Sequence, residues 1–324
     1  MPRRLRARAF AKINLGLKIV GRRPDGFHEL RTVFQTISLA DTIEITLAHG
    51  SGLRLEATGL TAGLPAESAN LALRAAEAAR DAWRLPGQIA VRLDKQIPLR
   101  AGLGGGSADA AAVLRLLADA APRKPAPVAV HALARQLGAD VPALLVGGTV
   151  LGLGRGDEVY PLADLAPWPC LLAMPLHAQV STPAAFAAWD RDHPGNLTSA
   201  AASATIMEFC SLVDQVLPAF RRPFKVARNR GTRCSTRAPK VHAGIENDFQ
   251  AGVFSLSPDF PRIHQQLWRA SAAWVSLTGS GAAQFGLFRQ ANAAAQAWPQ
   301  LRERYPSWRA RLVSRAEVQR NLQA

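Results

Sequence analysis

The chain has 324 residues, 48% of them hydrophobic, and a formal net charge of +15. This length can bury a sizeable core and is most natural for two domains. The longest apolar run, residues 141–154, is shorter than the roughly 20 residues of a membrane span and is broken by glycines, which excludes a spanning helix there. The three cysteines lack the spacing of a metal site or a disulfide framework, so we expect a protein of the reducing cytoplasm.

Alternating patterns predict the elements of the first half. Apolar and polar residues alternate at 43–47, 53–55 and 89–93, which is typical of half-buried strands. A helix is predicted from Asn70, a suitable N-cap, to just before Pro86. A second helix is expected from Ser107 to about residue 121, and a third follows the proline-rich linker 122–127 and ends at residue 137.

A glycine-rich loop, PLRAGLGGGSADAA at residues 98–111, connects the third of these strands to the second helix. Its glycines lack the Cβ atoms that would keep backbone N–H groups away from a large anion, and the helix N-terminus adds a positive dipole. A P-loop would end in Gly-Lys-Ser/Thr, and Ser107 stands where the dinucleotide motif requires glycine, so neither pattern fits. The loop therefore predicts a phosphate site, with a simple tight turn before a helix as the alternative.

The second half begins after a proline-punctuated stretch at residues 160–168. We predict domains of residues 1–162 and 163–324. Apolar runs at 170–174, 275–277 and 284–288 predict strands, and a Thr-Gly-Ser-Gly turn joins the last two into a hairpin. A helix at 291–303 and a last strand near 312–313 complete an α+β domain.

Positive charge is concentrated in one segment of that domain. Residues 221–240 carry eight lysines and arginines, no acid and no helical or strand period. Such a segment cannot bury enough apolar surface to offset the entropy lost on ordering, so we predict a basic, flexible insertion at residues 204–240, outside the functional site. A polyanion-binding role for this segment stays open, because it carries eight of the fifteen net positive charges.

Three segments together resemble the motifs of the GHMP small-molecule kinases: Ala-Lys-Ile-Asn-Leu at 11–15, the glycine-rich loop, and Leu-Thr-Gly-Ser-Gly at 277–281. The resemblance implies a two-domain α+β fold, with a first domain like domain 2 of ribosomal protein S5 and a ferredoxin-like second domain. Asp-Gly-Phe-His-Glu-Leu at 25–30 and Leu-Gly-Ala-Asp-Val-Pro at 137–142 are similar to the branch that phosphorylates the 2-hydroxyl of CDP-methylerythritol in the non-mevalonate isoprenoid pathway.

The resemblance also implies ATP as phosphate donor, Mg²⁺ on its phosphates, and site residues at matching positions. Lys12 and Asp140 match the catalytic pair, and Ser107 is the hydroxyl expected nearest the metal. The substrate-binding positions are Asn14, Phe27, His28, Phe34 and Phe186. The ATP-binding positions are Asn70, Pro98, Leu99, Arg100, Ala101, Gly102, Leu103, Gly104, Gly105, Gly106, Ser107 and Ala108.

These roles suit the chemistry of phosphoryl transfer, which needs an aligned hydroxyl, a proton acceptor and balanced negative charge. Asp140 can accept the proton, and a nearby Lys12 would stabilise charge on the carboxylate and on the phosphoryl oxygens. A neutral His28 offers cytosine one donor and one acceptor, and Phe27, where the branch usually has tyrosine, offers a π-face. Taken alone, Asp140 would be a helix cap and Lys12 a surface lysine.

Two alternatives follow from the same residues. One is another GHMP kinase, acting on homoserine, mevalonate or a sugar, but those substrates carry no base for Phe27 and His28 to bind. The other is an S5-like nucleic-acid-binding protein that uses the basic segment. We expect a cytoplasmic enzyme that is a monomer or weak homodimer, with no membrane association and no specific nucleic-acid partner.

Overall fold

The computed structural model describes residues 2–177, 180–193, 199–211, 213–214, 217–220 and 247–323. A seven-stranded sheet consists of β1 (Arg3–Arg22), β2 (His28–Ala48), β3 (Leu53–Gly59), β4 (Gln88–Lys95), β5 (Thr149–Leu153), β6 (Glu158–Pro161) and the chain-terminal β11 (Leu322–Gln323). Its order is β11-β1-β2-β4-β3, and β5 pairs with β2 and with β6. A second, antiparallel sheet has the order β10-β7-β9-β8 and consists of β7 (Pro169–Ala173), β8 (Trp274–Leu277), β9 (Gln284–Leu287) and β10 (Ser307–Arg311).

The helices of the described residues are α1 (Leu71–Trp83), α2 (Gly105–Ala120), α3 (Pro127–Leu137), α4 (Val141–Val146), α5 (Thr182–Asp192), α6 (Ser199–Ser211), α7 (Gln250–Phe254), α8 (Asp259–Arg269), α9 (Ala291–Arg302) and α10 (Arg315–Arg320). Helix α2 is central, because its alanine-rich surface allows α1, α4 and β1 to pack closely around it. Helix α8 is amphipathic and buries Phe260, Ile263 and Leu267. In this described part of the chain, no helix combines the length and apolar character that crossing a membrane requires.

Strand β1 carries the first motif, and its burial departs from simple alternation. Residues 9–17 are all buried, because α2 packs on one face of the strand and the turn after β8 contacts the other. The pairing of β1 with β2 shifts register between Phe10 and Lys12 and between Asn14 and Gly16. Such irregularities re-aim side chains, and here they flank the two polar residues that enter the candidate site.

Most predicted elements are confirmed. The predicted strands at 43–47, 53–55 and 89–93 lie in β2, β3 and β4, and β8 pairs with β9 as the expected hairpin. Asn70 caps α1, since its Oδ1 accepts a hydrogen bond of 2.9 Å from the Ala72 amide. Helix α2 begins at Gly105, two residues earlier than expected.

The last predicted strand is wrong in position, because β10 ends at Arg311. Leu312 forms an isolated bridge with Ile37, so this apolar residue is buried by contact with the first sheet rather than by a strand of its own. The domain boundary at 162/163 stays a prediction. Strand β11 nevertheless returns to the first sheet, where Gln323 lies opposite Arg6.

The predicted insertion at 204–240 is described in part. Helix α6 continues to Ser211, and residues 217–220 form a 3₁₀ turn. Phe209 and Phe220 are buried in the main core, and Phe220 contacts Trp168 and Trp274 at ring-centroid distances of 4.3 and 5.3 Å. Phe209 and Phe220 are thus packed into the core, which the prediction of a flexible insertion at 204–240 did not anticipate. The basic stretch 221–240 lies outside the described residues.

Candidate active site

A cavity of about 910 Å³ lies where the three motifs meet. Its volume is within the range of about 300–1,000 Å³ that is usual for small-molecule sites. Most predicted site residues line it: Lys12, Asn14, Phe27, His28, Phe34, Pro98, Leu99, Arg100, Ala101, Gly102, Leu103, Gly104, Gly105, Gly106, Ser107, Asp140 and Phe186. Residues from five separate stretches of sequence are thus brought to one site.

Two residues predicted to bind ATP lie outside the cavity wall. Ala108 is buried within α2, and Asn70 is buried while its side chain caps α1. The neighbouring Leu71 lines the cavity in place of Asn70. Asn70 therefore serves as the helix cap that the sequence predicts, and its assignment to ATP stays a prediction.

Lys12 and Asp140 form an ion pair in the wall of the cavity. Lys12 Nζ lies 3.3 Å from Asp140 Oδ2, and the two side chains are 4% and 32% exposed, respectively. Asp140 occupies the N-cap position of α4, yet within the described residues its side chain makes no capping hydrogen bond. The ammonium also lies 5.6 Å from the centroid of the Phe34 ring. The buried lysine is therefore fixed, while the carboxylate keeps an edge open to a ligand.

Asn14 connects the first and third motifs. Its Oδ1 accepts hydrogen bonds from Lys12 Nζ at 2.7 Å and from the Gly279 amide at 2.9 Å. Its Nδ2 donates to Thr32 Oγ1 at 2.8 Å, and the residue is only 1% exposed. Asn14 thus borders the cavity as predicted, but its polar atoms are engaged in positioning Lys12 and the turn after β8.

That turn also fixes the glycine-rich loop. Thr278 Oγ1 donates to the Gly102 carbonyl at 3.1 Å, and Asn247 Nδ2 donates to the Gly279 carbonyl at 2.7 Å. Gly102 has a φ of +73°, and a Cβ atom there would overlap the Thr278 carbonyl. Gly102 is therefore required for the contact between two motifs. The sequence analysis explained this glycine by the approach of an anion alone.

The glycines of the loop have different surroundings. A Cβ at Gly104 would lie 3.1 Å from Lys12 Cε, and one at Gly105 would lie 3.1 Å from Ile97 Cγ2, inside the protein. A Cβ at Gly106 would lie in ordinary contact with Leu71, 3.5 Å away, at the cavity wall. The lack of a side chain therefore keeps the cavity open chiefly at Gly106. At Gly104 and Gly105 it allows neighbouring side chains to pack closely against the loop.

A buried charge cluster supports the loop from beneath. Lys95 is fully buried and pairs with Asp41 and, at 2.8 Å, with Asp109 of α2. Burial raises the pKa of the Asp109 carboxyl well above its ordinary value, although Lys95 opposes that shift. Burial lowers the pKa of Lys95, but the charges of Asp109 and Asp41 outweigh it, so the net shift of its pKa is upward. These residues are far apart in sequence, and nothing in the motifs predicts their contact.

The opposite end of the cavity contains an aromatic cluster around His28. The imidazole stacks on the Phe186 ring, with centroids 4.4 Å apart and planes inclined by 17°. Its Nε2 lies 2.7 Å from Oδ1 of Asp190, a residue of α5 that the sequence analysis missed. The edge of Phe186 meets Phe249 at 4.8 Å. Two of the predicted substrate-binding residues, His28 and Phe186, are therefore in direct contact.

Phe27 is the exposed member of this end of the site. It is 53% exposed, and the Arg155 guanidinium lies 4.8 Å from its ring centroid. Asp157, which is buried, holds Arg155 and Arg135 at 3.1 Å each. Burial raises the pKa of Asp157, but the hydrogen bonds from the two arginines outweigh it, so its pKa is lowered. The Arg155 guanidinium thus covers one face of Phe27.

Comparisons with known proteins agree with this geometry. The model of the GHMP kinases N terminal domain matches residues 70–148, and that of the GHMP kinases C terminal domain matches residues 236–307. A 4-diphosphocytidyl-2-C-methyl-D-erythritol kinase of Solibacter usitatus (strain Ellin6076) is 41% identical over 95% of this chain and 88% of its own length. One from Synechococcus sp. (strain JA-3-3Ab) is 37% identical over 92% of this chain and 89% of its own.

Two solved structures have a similar fold, and one of them is a kinase of the same name. A crystal structure of 4-(cytidine 5'-diphospho)-2C-methyl-D-erythritol kinase has a TM-score of 0.73 and 32% identity, and the match covers 96% of this chain and 99% of that one. A homoserine kinase from Cytophaga hutchinsonii ATCC 33406 has a TM-score of 0.69 at 18% identity over 97% and 95% of the two chains, which shows a shared fold alone.

Fold and site together define a GHMP kinase, a small-molecule phosphotransferase of a class that uses ATP as phosphate donor. Within that class, the chain belongs to the family of 4-diphosphocytidyl-2-C-methyl-D-erythritol kinases. The resemblance stated from the motifs is confirmed, and so is the predicted α+β fold.

Proposed function

We propose that this chain transfers the γ-phosphoryl group of ATP to the 2-hydroxyl of 4-diphosphocytidyl-2-C-methyl-D-erythritol. The observation that carries the proposal is the 3.3 Å contact between Lys12 and Asp140 in a cavity that the glycine-rich loop and His28 also line. The names of the relatives support the same substrate. Phe27 and His28 line the same cavity as the glycine-rich loop and Asp140, and mevalonate and homoserine carry no base for these two residues to bind.

In the proposed step, the open edge of the Asp140 carboxylate accepts the proton of the substrate 2-hydroxyl. The oxygen forms a bond to the γ-phosphorus, the bond from that phosphorus to the β–γ bridging oxygen breaks, and the products are ADP and the phosphorylated substrate. Lys12 balances negative charge on the transferring group. Because Asn14 and the protein interior fix the lysine beforehand, little reorganisation is needed during the reaction.

The glycine-rich loop is proposed to bind the ATP phosphates through its backbone N–H groups at the start of α2. Mg²⁺ prefers to be held by phosphates with one or two protein oxygens, and it would neutralise phosphate charge when bound. The half-buried Ser107, which lines the cavity beside the loop, would supply one such oxygen.

Localisation, oligomeric state and nucleic-acid binding complete the proposal. We place the enzyme in the cytoplasm, because Cys170 and Cys210 are unpaired and burial raises the pKa of the Cys170 thiol, which suits a thiol that stays reduced. We propose a monomer or weak homodimer without a specific nucleic-acid partner. Gel filtration with and without single-stranded RNA, at low and high salt, tests both points.

A coupled assay of ADP release tests the proposed function. ADP is expected to form when ATP and 4-diphosphocytidyl-2-C-methyl-D-erythritol are both present, and ³¹P NMR should show a new phosphate monoester on the substrate. Homoserine and mevalonate serve as matched acceptors that lack the cytidine part. Equal turnover of either of these acceptors, or no turnover of the cytidine substrate by folded protein, would contradict the proposal.

Two alanine substitutions in the loop are expected to have opposite effects. Gly106→Ala should raise stability by about 0.5–1 kcal/mol, because alanine is the better helix former. The same change should raise the KM for ATP roughly tenfold, because its methyl group would lie at the cavity wall. Gly105→Ala should instead lower stability by about 1 kcal/mol, because its methyl group would crowd Ile97.

Thermal unfolding and ATP saturation kinetics measure both variants. If Gly106→Ala leaves the KM for ATP unchanged, the loop is a turn rather than a phosphate site. If Gly105→Ala is as stable as the unaltered protein, the loop is less tightly packed on Ile97 than the distances indicate.

A further inference from the structure

His28 is held by a residue from the other half of the chain. The imidazole lies at the beginning of β2, and Asp190, on α5, contacts it although the two residues are 162 positions apart in sequence. The Nε2···Oδ1 distance is 2.7 Å, and stacking on Phe186 fixes the plane of the ring. Ring orientation and one ring nitrogen are thus both determined before any substrate binds.

The chemistry of the pair determines what the ring can offer. A carboxylate accepts hydrogen bonds and has no proton to give, so the short contact requires the proton on Nε2. In a neutral imidazole the other nitrogen, Nδ1, is then an acceptor. Because His28 lines the cavity, Nδ1 is the ring nitrogen that a ligand can use while the pair with Asp190 persists. The ring therefore offers the base an acceptor only, and the donor that the sequence analysis also expected it to offer is occupied by Asp190.

An acceptor at this position distinguishes two pyrimidine bases. Cytosine carries an exocyclic amine, which can donate to Nδ1. Uracil carries a carbonyl at the same position, so two acceptors would face each other. A buried polar group that loses its partner is costly, and the loss is greater than the gain from making the bond.

We propose that Asp190 is the positioning residue that makes the site specific for a cytosine base over uracil, by holding His28 with its proton on Nε2. The inference rests on the proposed function, since it concerns the base of that nucleotide-linked substrate. Asp190 does not touch the substrate in this account. It acts through His28, in the way that an acid oriented behind a histidine fixes the tautomer of the ring.

Asp190→Asn is the decisive variant. An amide can either accept from Nε2–H or donate to Nε2, so it no longer imposes one tautomer on His28. The ratio of kcat/KM for the cytidine substrate to that for its uridine analogue is expected to fall about tenfold to a hundredfold. The kcat with the cytidine substrate and the KM for ATP should change little, because Lys12 and Asp140 are untouched.

Asp192→Asn is the matched control, because Asp192 is an exposed acid on the same helix. It should leave the ratio unchanged, and Asp190→Glu should retain most of it. A direct measurement is the ¹⁵N chemical shift of the His28 ring in the protein without substrate. The Nε2–H form is expected in the unaltered protein, and a mixture is expected in Asp190→Asn.

The possible failures are distinguishable. If the unaltered protein phosphorylates the cytidine substrate and Asp190→Asn keeps the base preference, or if His28 carries its proton on Nδ1, the inference about Asp190 is wrong while the proposed function stands. If folded, unaltered protein does not phosphorylate the cytidine substrate, the proposed function is wrong, and the inference is overturned with it.

Discussion

Asp140→Asn is expected to fold normally and to lower kcat by about 10²–10⁴-fold, the usual contribution of a positioned proton acceptor. The amide has nearly the same shape as the carboxylate but cannot take the hydroxyl proton. The substitution should not disturb α4, because the Asp140 side chain makes no capping hydrogen bond among the described residues. Single-turnover phosphoryl transfer, followed at saturating ATP and substrate, measures the effect.

The KM for ATP is expected to change much less than kcat, because the proposed ATP-binding residues belong to the glycine-rich loop, which this substitution does not alter. Asp81→Asn is a suitable control, since that acid is exposed on α1 and its side chain is 65% accessible. Asp140 would have to be removed from the proton-accepting role if Asp140→Asn, with an unchanged thermal unfolding midpoint, retained more than about a tenth of the original kcat, because a proton acceptor contributes more than that.

The parts of this site that sequence could predict are those contained in short contiguous motifs. The glycine-rich loop was expected directly before a helix, and it does lie at the start of α2. Lys12, from the motif that begins at Ala11, lines the cavity. The pairing of Lys12 with Asp140 followed from the family resemblance, because taken alone the two residues would have been assigned to the surface and to a helix cap. Local chemistry identifies candidates, and the match to known motifs selects among them.

The parts that sequence could not predict depend on contacts between distant segments. Asp190 is 162 residues from His28, and its helix has no feature that distinguishes this acid from Asp192 nearby. Asn14 and Gly102 have a further role that depends on the same kind of contact. Their motifs assign each to the ligand, and the structure adds that each joins one motif to another. Residue type specifies possible partners, but tertiary packing determines which partner is present.

Lys95→Met is expected to lower the free energy of unfolding by about 3–5 kcal/mol, the usual cost of removing one partner from a buried ion pair. The substitution leaves Asp41 and Asp109 buried without their cation. Arg6→Met is the control, because its pair with Glu44 is exposed and should contribute at most about 1 kcal/mol. Urea denaturation measures both variants, and ATP saturation kinetics should show a raised KM for Lys95→Met, since Lys95 lies directly beneath Gly105.

The loss caused by Lys95→Met should depend on pH. Burial already raises the pKa of Asp109 in the folded protein, and removing Lys95, whose charge lowers that pKa, raises it further. A carboxyl whose pKa is raised by folding binds more protons in the folded state, so its contribution to stability is complete below the ordinary value of 3.8 and is lost as pH rises through the raised pKa. Lys95→Met should therefore be most destabilised at mildly alkaline pH and partly recover in mild acid. A loss that is the same at both pH values would show that Asp109 does not take up a proton when its cation is removed, and that the cluster tolerates two buried negative charges beneath the loop.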